Sequence, residues 1–478
     1  MSNVAPFNSG ASDDCDVLVV GAGLAGLTAG IRAAELGLRV RIIERGEGDH
    51  YLCNSRYTGG LFHIGMDNLA SPPDEIRSRL QRVTNGEGRP ELADALAENA
   101  IRAVTWLKAH GVSMIRVGPD GLRQHSLAPP GVRRTGLNWR WRSGDVMLRT
   151  LGANYRGRGG ILQQGTEVSE LLMESGRCVG ASVRQNGVTR AIRAQYVVLS
   201  DGGFQANADL LRRFVSGAPE RLLMRNAETG RGDGLRMAEA VGAKIVGTSS
   251  FYGHVQYRAA MTDGRFWPYP VVDSLAVSAL LIDGASQRFC DEGLGGVHIT
   301  NCIARLPDPL SAVIIMDDAI WNGPGKDWLL PANPYLIRAG GELITASDLN
   351  SLAAKIGHDP GALNVSVARW NDQVAGRKPF DVPRTVAPYK PWAIGQGKFH
   401  AIPVCAGVTY TMGGILTDTA ARVLDANERP IQGLLAAGAT TGGLEGFSRD
   451  GYSGGLSKAL TFGLIAGETA YSALRKAA

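Results

Sequence analysis

The stretch Asp16–Gly46, DVLVVGAGLAGLTAGIRAAELGLRVRIIERG, decides the fold. Asp16 to Val20 is a continuous apolar run of the kind buried on both faces of a parallel sheet. It leads directly into GAGLAG. From Leu24 to Leu36 small and apolar residues recur at helical spacing, Gly37 stops the helix, and residues 38–44 alternate as a second strand ending at Glu44. The whole is one βαβ unit. Gly21, Gly23 and Gly26 have the spacing G-x-G-x-x-G at the strand-to-helix junction. That pattern serves a tight turn, close approach of backbone to a pyrophosphate, and close packing of helix on strand. The amides of Leu24 and Ala25, at the positive end of the helix, then attract phosphate. Glu44, followed by Arg45, stands where a carboxylate accepts hydrogen bonds from an adenosine ribose.

Outward from this unit, helical patterning occupies residues 86–111, and β patterning returns at 167–186, including Val168. A strand, residues 196–200, runs into a second glycine turn at Asp201, Gly202 and Gly203. Between about 255 and 395 the chain breaks into short segments punctuated by proline, glycine and tryptophan, which reads as an insertion. A strand at 433–439, containing Gly438 and Ala439, then leads through a third glycine-rich turn to a helix from about Gly455 to Leu474. Three glycine turns suit a long dinucleotide held at several points, and an N-terminal first turn favours FAD over NAD.

Composition agrees. Of 478 residues 44% are apolar and 20% charged, as in an ordinary globular protein, so disordered and fibrous classes are excluded. The 63 glycines are nearly twice the usual share of ~7%. A net charge of +5 without charge blocks argues against nucleic acid or a membrane surface. The six cysteines are scattered without C-x-x-C spacing, against a zinc cage or a disulfide framework. No apolar run reaches the ~18 residues of a membrane span. The N-terminal residues lack a basic start and an apolar run, so the expected location is cytoplasmic. Arg133, Arg134, Arg140 and Arg142, interleaved with Trp139 and Trp141, read as a solvated loop or a lid rather than a nucleic-acid site.

The N-terminal unit, TGRGDGLRMAEAVGA (229–243), LLIDGASQRFCDEG (280–293) and GVTYTMGGILTDTAARVL (407–424) together resemble the FAD-dependent fumarate reductase and succinate dehydrogenase flavoprotein superfamily. NSRYTGG (54–60) and QRFCDEG (287–293) are most similar to tricarballylate dehydrogenase-like members. The spacing from Gly446 to residues 461–463 is similar to 3-ketosteroid dehydrogenases. The resemblance implies an α/β fold: a discontinuous, Rossmann-like FAD domain of the glutathione-reductase type (14–254 and 396–478) with an inserted α+β capping domain (255–395). It implies FAD contacts at Ser55, Thr58, Gly59, Gly60, Asp233, Gly454, Gly455, Leu456 and Ser457 as well as at the three glycine turns. The first turn of the last helix is expected to face the flavin pyrimidine, stabilising its reduced anion. The histidine motif of covalent attachment is replaced by CNSRYTGG, so FAD is expected to be noncovalent.

The implied reaction is hydride exchange between flavin and a carbon next to a carbonyl or carboxylate. The family's C-terminal catalytic arginine falls on Arg449, which would polarise the substrate, and its substrate-binding histidine falls on His254. Arginine stays protonated, so Tyr452 or Tyr410 is the expected proton acceptor in dehydrogenation. Two departures stand out. The family's HHTMGG is Thr409, Tyr410 and then TMGG, and its proton-donating arginine falls on Gly296, with His298 nearby. Both argue against fumarate as the substrate. The chain has no C-x-x-C-H haem site, which favours a dehydrogenase passing electrons to a diffusible acceptor such as quinone, oxygen or an electron-transfer protein. The competing expectations are a flavin oxidase or monooxygenase acting on an amine or hydroxyl, and a degenerate flavin-binding subunit.

Overall fold

The N-terminal apolar run becomes the strand Cys15–Val20 at the middle of a mostly parallel sheet. Across that sheet lie, in order, Ile161–Gln163, Val40–Ile43, Cys15–Val20, Val188–Leu199 and Pro430–Ala436, each parallel to its neighbour. Arg422–Leu424 adds an antiparallel edge beside Pro430–Ala436, and an antiparallel ribbon of Glu167–Glu174 and Arg177–Gln185 extends from Val188–Leu199. The computed structural model describes residues 14–130, 139–327 and 331–477, so Arg133 and Arg134 lie outside the described residues.

This order places a topological switch point between Cys15–Val20 and Val188–Leu199. The chain leaves the first strand toward Val40–Ile43 on one side and returns to its other side only at residue 188. At such a point the connections diverge and leave a crevice beyond the carboxyl ends of the strands. Gly21 and Asp201 mark its two lips. Gly21 has a left-handed φ of 92° and its amide bonds Ile43 O at 2.8 Å. A Cβ on Gly26 would collide with the Gly21 carbonyl and with Ser200 Oγ. The helix Leu24–Glu35 can therefore sit on the sheet only with glycine there.

The last helix, Gly455–Ala477, packs along Leu24–Glu35, with Gly463 and Gly467 lying against the backbone of Ala25 and Ala29. Its first turn is thereby fixed beside the crevice.

A second sheet has the strand Phe399–Thr411 as its spine. Leu223–Met224 and Val313–Asp317 flank it, Leu280–Ile282 lies beyond, and Phe251–Tyr257 and Ile344–Ala346 also pair with it. Its own core includes Phe251, Ile299 and Trp370. The two sheets meet where Phe204 N donates to Thr411 Oγ1 at 3.0 Å.

The elements expected outside 255–395 occupy their places with ends moved by a few residues, the N-terminal helical segment being Pro90–Ala109 and the last helix reaching Ala477, except that the strand expected at 196–200 begins eight residues earlier, at Val188. Within 255–395 a fifteen-residue helix, Pro360–Val374, runs where the sequence reads as broken. Pro360 starts this helix rather than breaking it, with Asp359 accepting from Ala362 N at 2.7 Å.

Replacing Gly26 by alanine is expected to cost about 2 kcal/mol of stability, as overpacking does, and to lower the melting temperature in a thermal scan. An unchanged melting temperature would contradict the close packing described.

Candidate functional site

A cavity of about 780 Å³ fills the crevice and continues beneath the second sheet. The glycine turn contributes Gly21, Gly23, Leu24 and Ala25 to its wall. Two of the turn's amides are already engaged: Ala22 N donates to Glu44 Oε2 at 2.9 Å and Leu24 N to Ser55 Oγ at 3.1 Å. Ala25 and Gly26, in the first helical turn, have no carbonyl to bond within the helix, as helix geometry requires. Glu44 lines the cavity with its second oxygen accepting from Gly46 N at 2.8 Å, and burial pushes its carboxyl up.

Arg45 braces this end, donating to Asp233 Oδ2 at 2.9 Å and to Thr229 O at 2.6 Å. Val168, Asp201, Gly202, Gly203 and Asp233 complete the wall here. Asp201 is informative. One oxygen accepts from Gly234 N at 2.8 Å, while Oδ1 is buried with no partner among the described residues, and burial pushes the carboxyl up to about 6. A buried polar atom without a partner is costly, so one on a residue that lines a nucleotide-sized crevice fits a site shaped for a ligand. Together with the glycine cradle and the buried Glu44, it matches the donor and acceptor needs of an adenine dinucleotide.

Ser55, Thr58, Gly59, Gly60, Gly438, Ala439, Gly455 and Leu456 also line the cavity. Gly26, Gly454 and Ser457 do not. Gly26 supports the turn from beneath, a Cβ on Gly454 would collide with the His63 carbonyl, and Ser457 Oγ donates to that same carbonyl at 2.7 Å.

At the other end stands a cluster of aromatic rings. Tyr252 and Tyr410 are direct cross-strand partners on Phe251–Tyr257 and Phe399–Thr411, which puts both rings on one face. His254, two residues along the same strand, shares that face. Tyr252 stacks on Tyr452, with centroids 3.9 Å apart and planes 17° apart. Tyr252 Oη and His254 Nε2 are 3.0 Å apart, and His254 Nδ1 lies 3.0 Å from Asp273 Oδ2. In the tautomer with the proton on Nδ1, facing the Asp273 carboxylate, Nε2 accepts from the tyrosine. His63 packs edge-on against Tyr452, and burial pulls its imidazole down to about 4, so it is neutral near pH 7.

Two sequence expectations change here. Tyr410 lines the cavity, but its hydroxyl donates to Glu445 Oε1 at 3.0 Å; Glu445 in turn accepts from Ser453 N and from Lys458 Nζ, all buried. Burial also pushes the phenols of Tyr252, Tyr410 and Tyr452 up, so each is a neutral hydrogen-bond donor before it is a base. Arg449 does not reach the cavity at all. Gly446 and Gly451 exchange two backbone hydrogen bonds of 2.8 Å, which close a loop that leaves Ser448 and Arg449 exposed while Asp450 turns inward, with Arg449 Nη1 3.4 Å from Arg82 O.

A cation near the aromatic rings is Arg225, which the sequence did not single out. It lines the cavity, donating from Nε to Pro268 O at 3.0 Å and from Nη1 to Thr409 Oγ1 at 3.2 Å, and its guanidinium lies 4.8 Å from the Tyr269 ring centroid. Asn54 ties three segments together beside it, accepting from Ala227 N at 3.0 Å and donating to Thr409 O at 2.8 Å. Arg140 also lines the cavity; Arg142 does not.

Comparison with known proteins agrees with this geometry. The FAD binding domain family matches residues 16–454, and the chain belongs to it. Within it the protein falls in the superfamily of FAD-dependent fumarate reductase and succinate dehydrogenase flavoproteins. It is 28% identical over 478 residues to a fumarate reductase (cytochrome) of Shewanella frigidimarina, covering 98% of this chain and 78% of that one. It is 27% identical over 488 residues to a urocanate reductase of Eggerthella lenta, covering 96% and 75% respectively. In fold it is similar to 3-ketosteroid Δ1-dehydrogenase from Sterolibacterium denitrificans, with a TM-score of 0.73 at 20% identity, covering 97% of this chain and 100% of that one. Among the described residues no group of His, Cys, Asp or Glu side chains could hold a metal, and no helix is long and apolar enough to cross a membrane.

The raised carboxyl of Asp201 gives a prediction for the apoprotein. A folded value near 6 against about 4 unfolded means stability is present below pH 4 and lost as pH rises through 6. Asp201→Asn should therefore raise the melting temperature at pH 7.5, by an amount worth at most about 3 kcal/mol, and the difference should vanish at pH 4. A destabilised variant at pH 7.5 would contradict it.

Proposed function

We propose that this chain binds FAD noncovalently and dehydrogenates a C–C bond next to the carbonyl of a largely apolar, cyclic compound. The observation that carries this reading is the chain Asp273, His254, Tyr252 on the cavity wall, stacked against Tyr452. The bound flavin would supply the two-electron acceptor for the β-hydride.

The remaining steps belong to side chains on the page. Tyr452 Oη accepts from Gly455 N at 3.0 Å, which orients the phenol and leaves its own proton for a carbonyl oxygen in the cavity. With the carbonyl polarised, the α-proton becomes acidic. Tyr252 takes it while passing its own proton to His254 Nε2, and Asp273 stabilises the imidazolium that results. No free phenolate is needed, which suits tyrosines whose burial opposes ionisation. Arg225, already held by Pro268 and Thr409, offers its remaining donors to a second oxygen or a carboxylate on the substrate.

The lining beside this cluster favours an apolar ring over a small dicarboxylate. Tyr57, Tyr252, Trp267, Tyr269, Tyr410 and Tyr452 all contribute to the wall. The segments inserted between 255 and 395, which carry Trp267 and Tyr269, act as a cap over the flavin, with 14–254 and 396–478, including the spine of the second sheet, as its discontinuous binding domain. The physiological electron acceptor is a diffusible one. The fumarate and urocanate reductases similar to this chain support C=C chemistry at this site and leave the direction to the residues, which here provide a proton relay.

Under anaerobic conditions, saturated cyclic ketones should bleach the bound flavin and yield products lighter by two hydrogens, whereas succinate should not. Bleaching by succinate alone would overturn the substrate class. Tyr452→Phe should retain flavin and lower kcat by about 10²-fold, as loss of one oxyanion donor does. Arg449→Ala should leave turnover unchanged; its loss would restore the arginine to the mechanism. Acid precipitation should release all yellow colour, and colour left on the pellet would contradict noncovalent binding.

A further inference from the structure

A second set of chemically active side chains stands behind the turn that carries Tyr452 and takes no part in the flavin chemistry. The helix Gly296–Arg305 presents His298 and Cys302 one turn apart. Cys302 Sγ lies 3.4 Å from His298 Nε2, and His298 Nδ1 lies 2.9 Å from Asp450 Oδ2. Asp450 is buried and anchored by Ser250 Oγ at 2.5 Å and by Arg305 Nη2 at 2.5 Å. A thiol, an imidazole and a carboxylate in series are the arrangement that activates a cysteine. The thiol of Cys290 neighbours Cys302, and each acts on the other's ionisation.

We infer that Cys302 is a reactive thiolate that hydrogen peroxide converts, through a sulfenic acid, into a disulfide with Cys290. His298 touches Cys302, and Cys290, Asp450 and Arg305 stand close enough to act on its charge. The Cys290 thiol, followed by His298, holds Cys302 below the ordinary thiol range against the pull of burial. His298 is raised to about 9: burial opposes its charge, but Asp450 and Cys302 outweigh it. The set therefore rests as a thiolate beside an imidazolium. Cys302 also stands apart from the other five cysteines. Cys15, Cys178, Cys290 and Cys405 are buried, and burial pushes the half-buried Cys53 up to about 12.

The chemistry balances with peroxide as the only oxidant. The thiolate attacks one peroxide oxygen, the O–O bond breaks, an S–O bond forms, and the departing hydroxide takes the proton of His298 to leave as water. Sulfur has then lost two electrons. Cys290 attacks the sulfenic sulfur, the S–S bond forms as the S–O bond breaks, and a second water leaves with the proton of Cys290.

The test uses the flavin-loaded protein. Under native conditions iodoacetamide should label Cys302 first of the six, and His298→Gln should slow that labelling by about tenfold or more while the flavin spectrum stays unchanged. Limiting hydrogen peroxide should yield a peptide pair linked through residues 290 and 302 that dithiothreitol separates. In Cys290→Ser, dimedone should trap a sulfenic acid on Cys302. Labelling of Cys302 no faster than of Cys53, an unchanged rate in His298→Gln, or peroxide treatment that leaves residues 290 and 302 unlinked would each overturn the proposal. Should His298→Gln fail to fold, the dimedone result in Cys290→Ser decides alone.

Discussion

The structure depends on one close approach: the backbone of the helix Leu24–Glu35 resting on the carbonyl of Gly21 and on Ser200, with no side chain between them. That contact fixes the helix start at the switch point of the parallel sheet, where the crevice opens. It also sets the level of everything beyond. Ser200 Oγ bonds Val20 O at 2.7 Å, so the first strand and the turn at Asp201 are tied edge to edge. The last helix is registered on the first through Gly463 and Gly467, so its opening residues reach the same crevice.

Burial sets the chemical character of the cavity's other end. Lys458 and Glu445 are both buried, and their pairing is what allows the Tyr410 phenol to donate to a carboxylate in the interior. Removing one partner of such a pair leaves an uncompensated charge, which is far costlier than losing a surface ion pair. Tyr410 is thus committed to the scaffold, the Tyr252 hydroxyl lies against His254, and the Tyr452 hydroxyl, accepting from Gly455 N, keeps its own proton. Three tyrosines of one neighbourhood have different tasks because their hydroxyls have different partners.

The nucleotide half is legible in the sequence because its signals are local. The glycine spacing, the apolar run before it and Glu44 after it lie within Asp16–Gly46, and the remaining glycine turns each adjoin a strand. The chemistry at the far end is not local. Tyr252 acquires its place from pairing opposite Tyr410, 158 positions along the chain (410 minus 252), and from Asp273 and His254 meeting across a loop. Arg225 precedes the recognisable TGRGDG segment and carries no motif of its own. Arg449 misleads because similarity of the turn says nothing about where its residues point. The Gly446–Gly451 closure turns Ser448 and Arg449 outward and brings Asp450 and Tyr452 inward, a distinction of backbone geometry that residue spacing does not encode.

The central claim is that the crevice at the switch point is an FAD site built on the glycine turn and Glu44. Titration of the apoprotein with FAD, followed by flavin fluorescence, tests it most directly. The account predicts saturation at one equivalent per chain, with affinity sharply reduced in Glu44→Ala. Failure of the wild-type apoprotein to take up FAD, or uptake indifferent to Glu44, would contradict it.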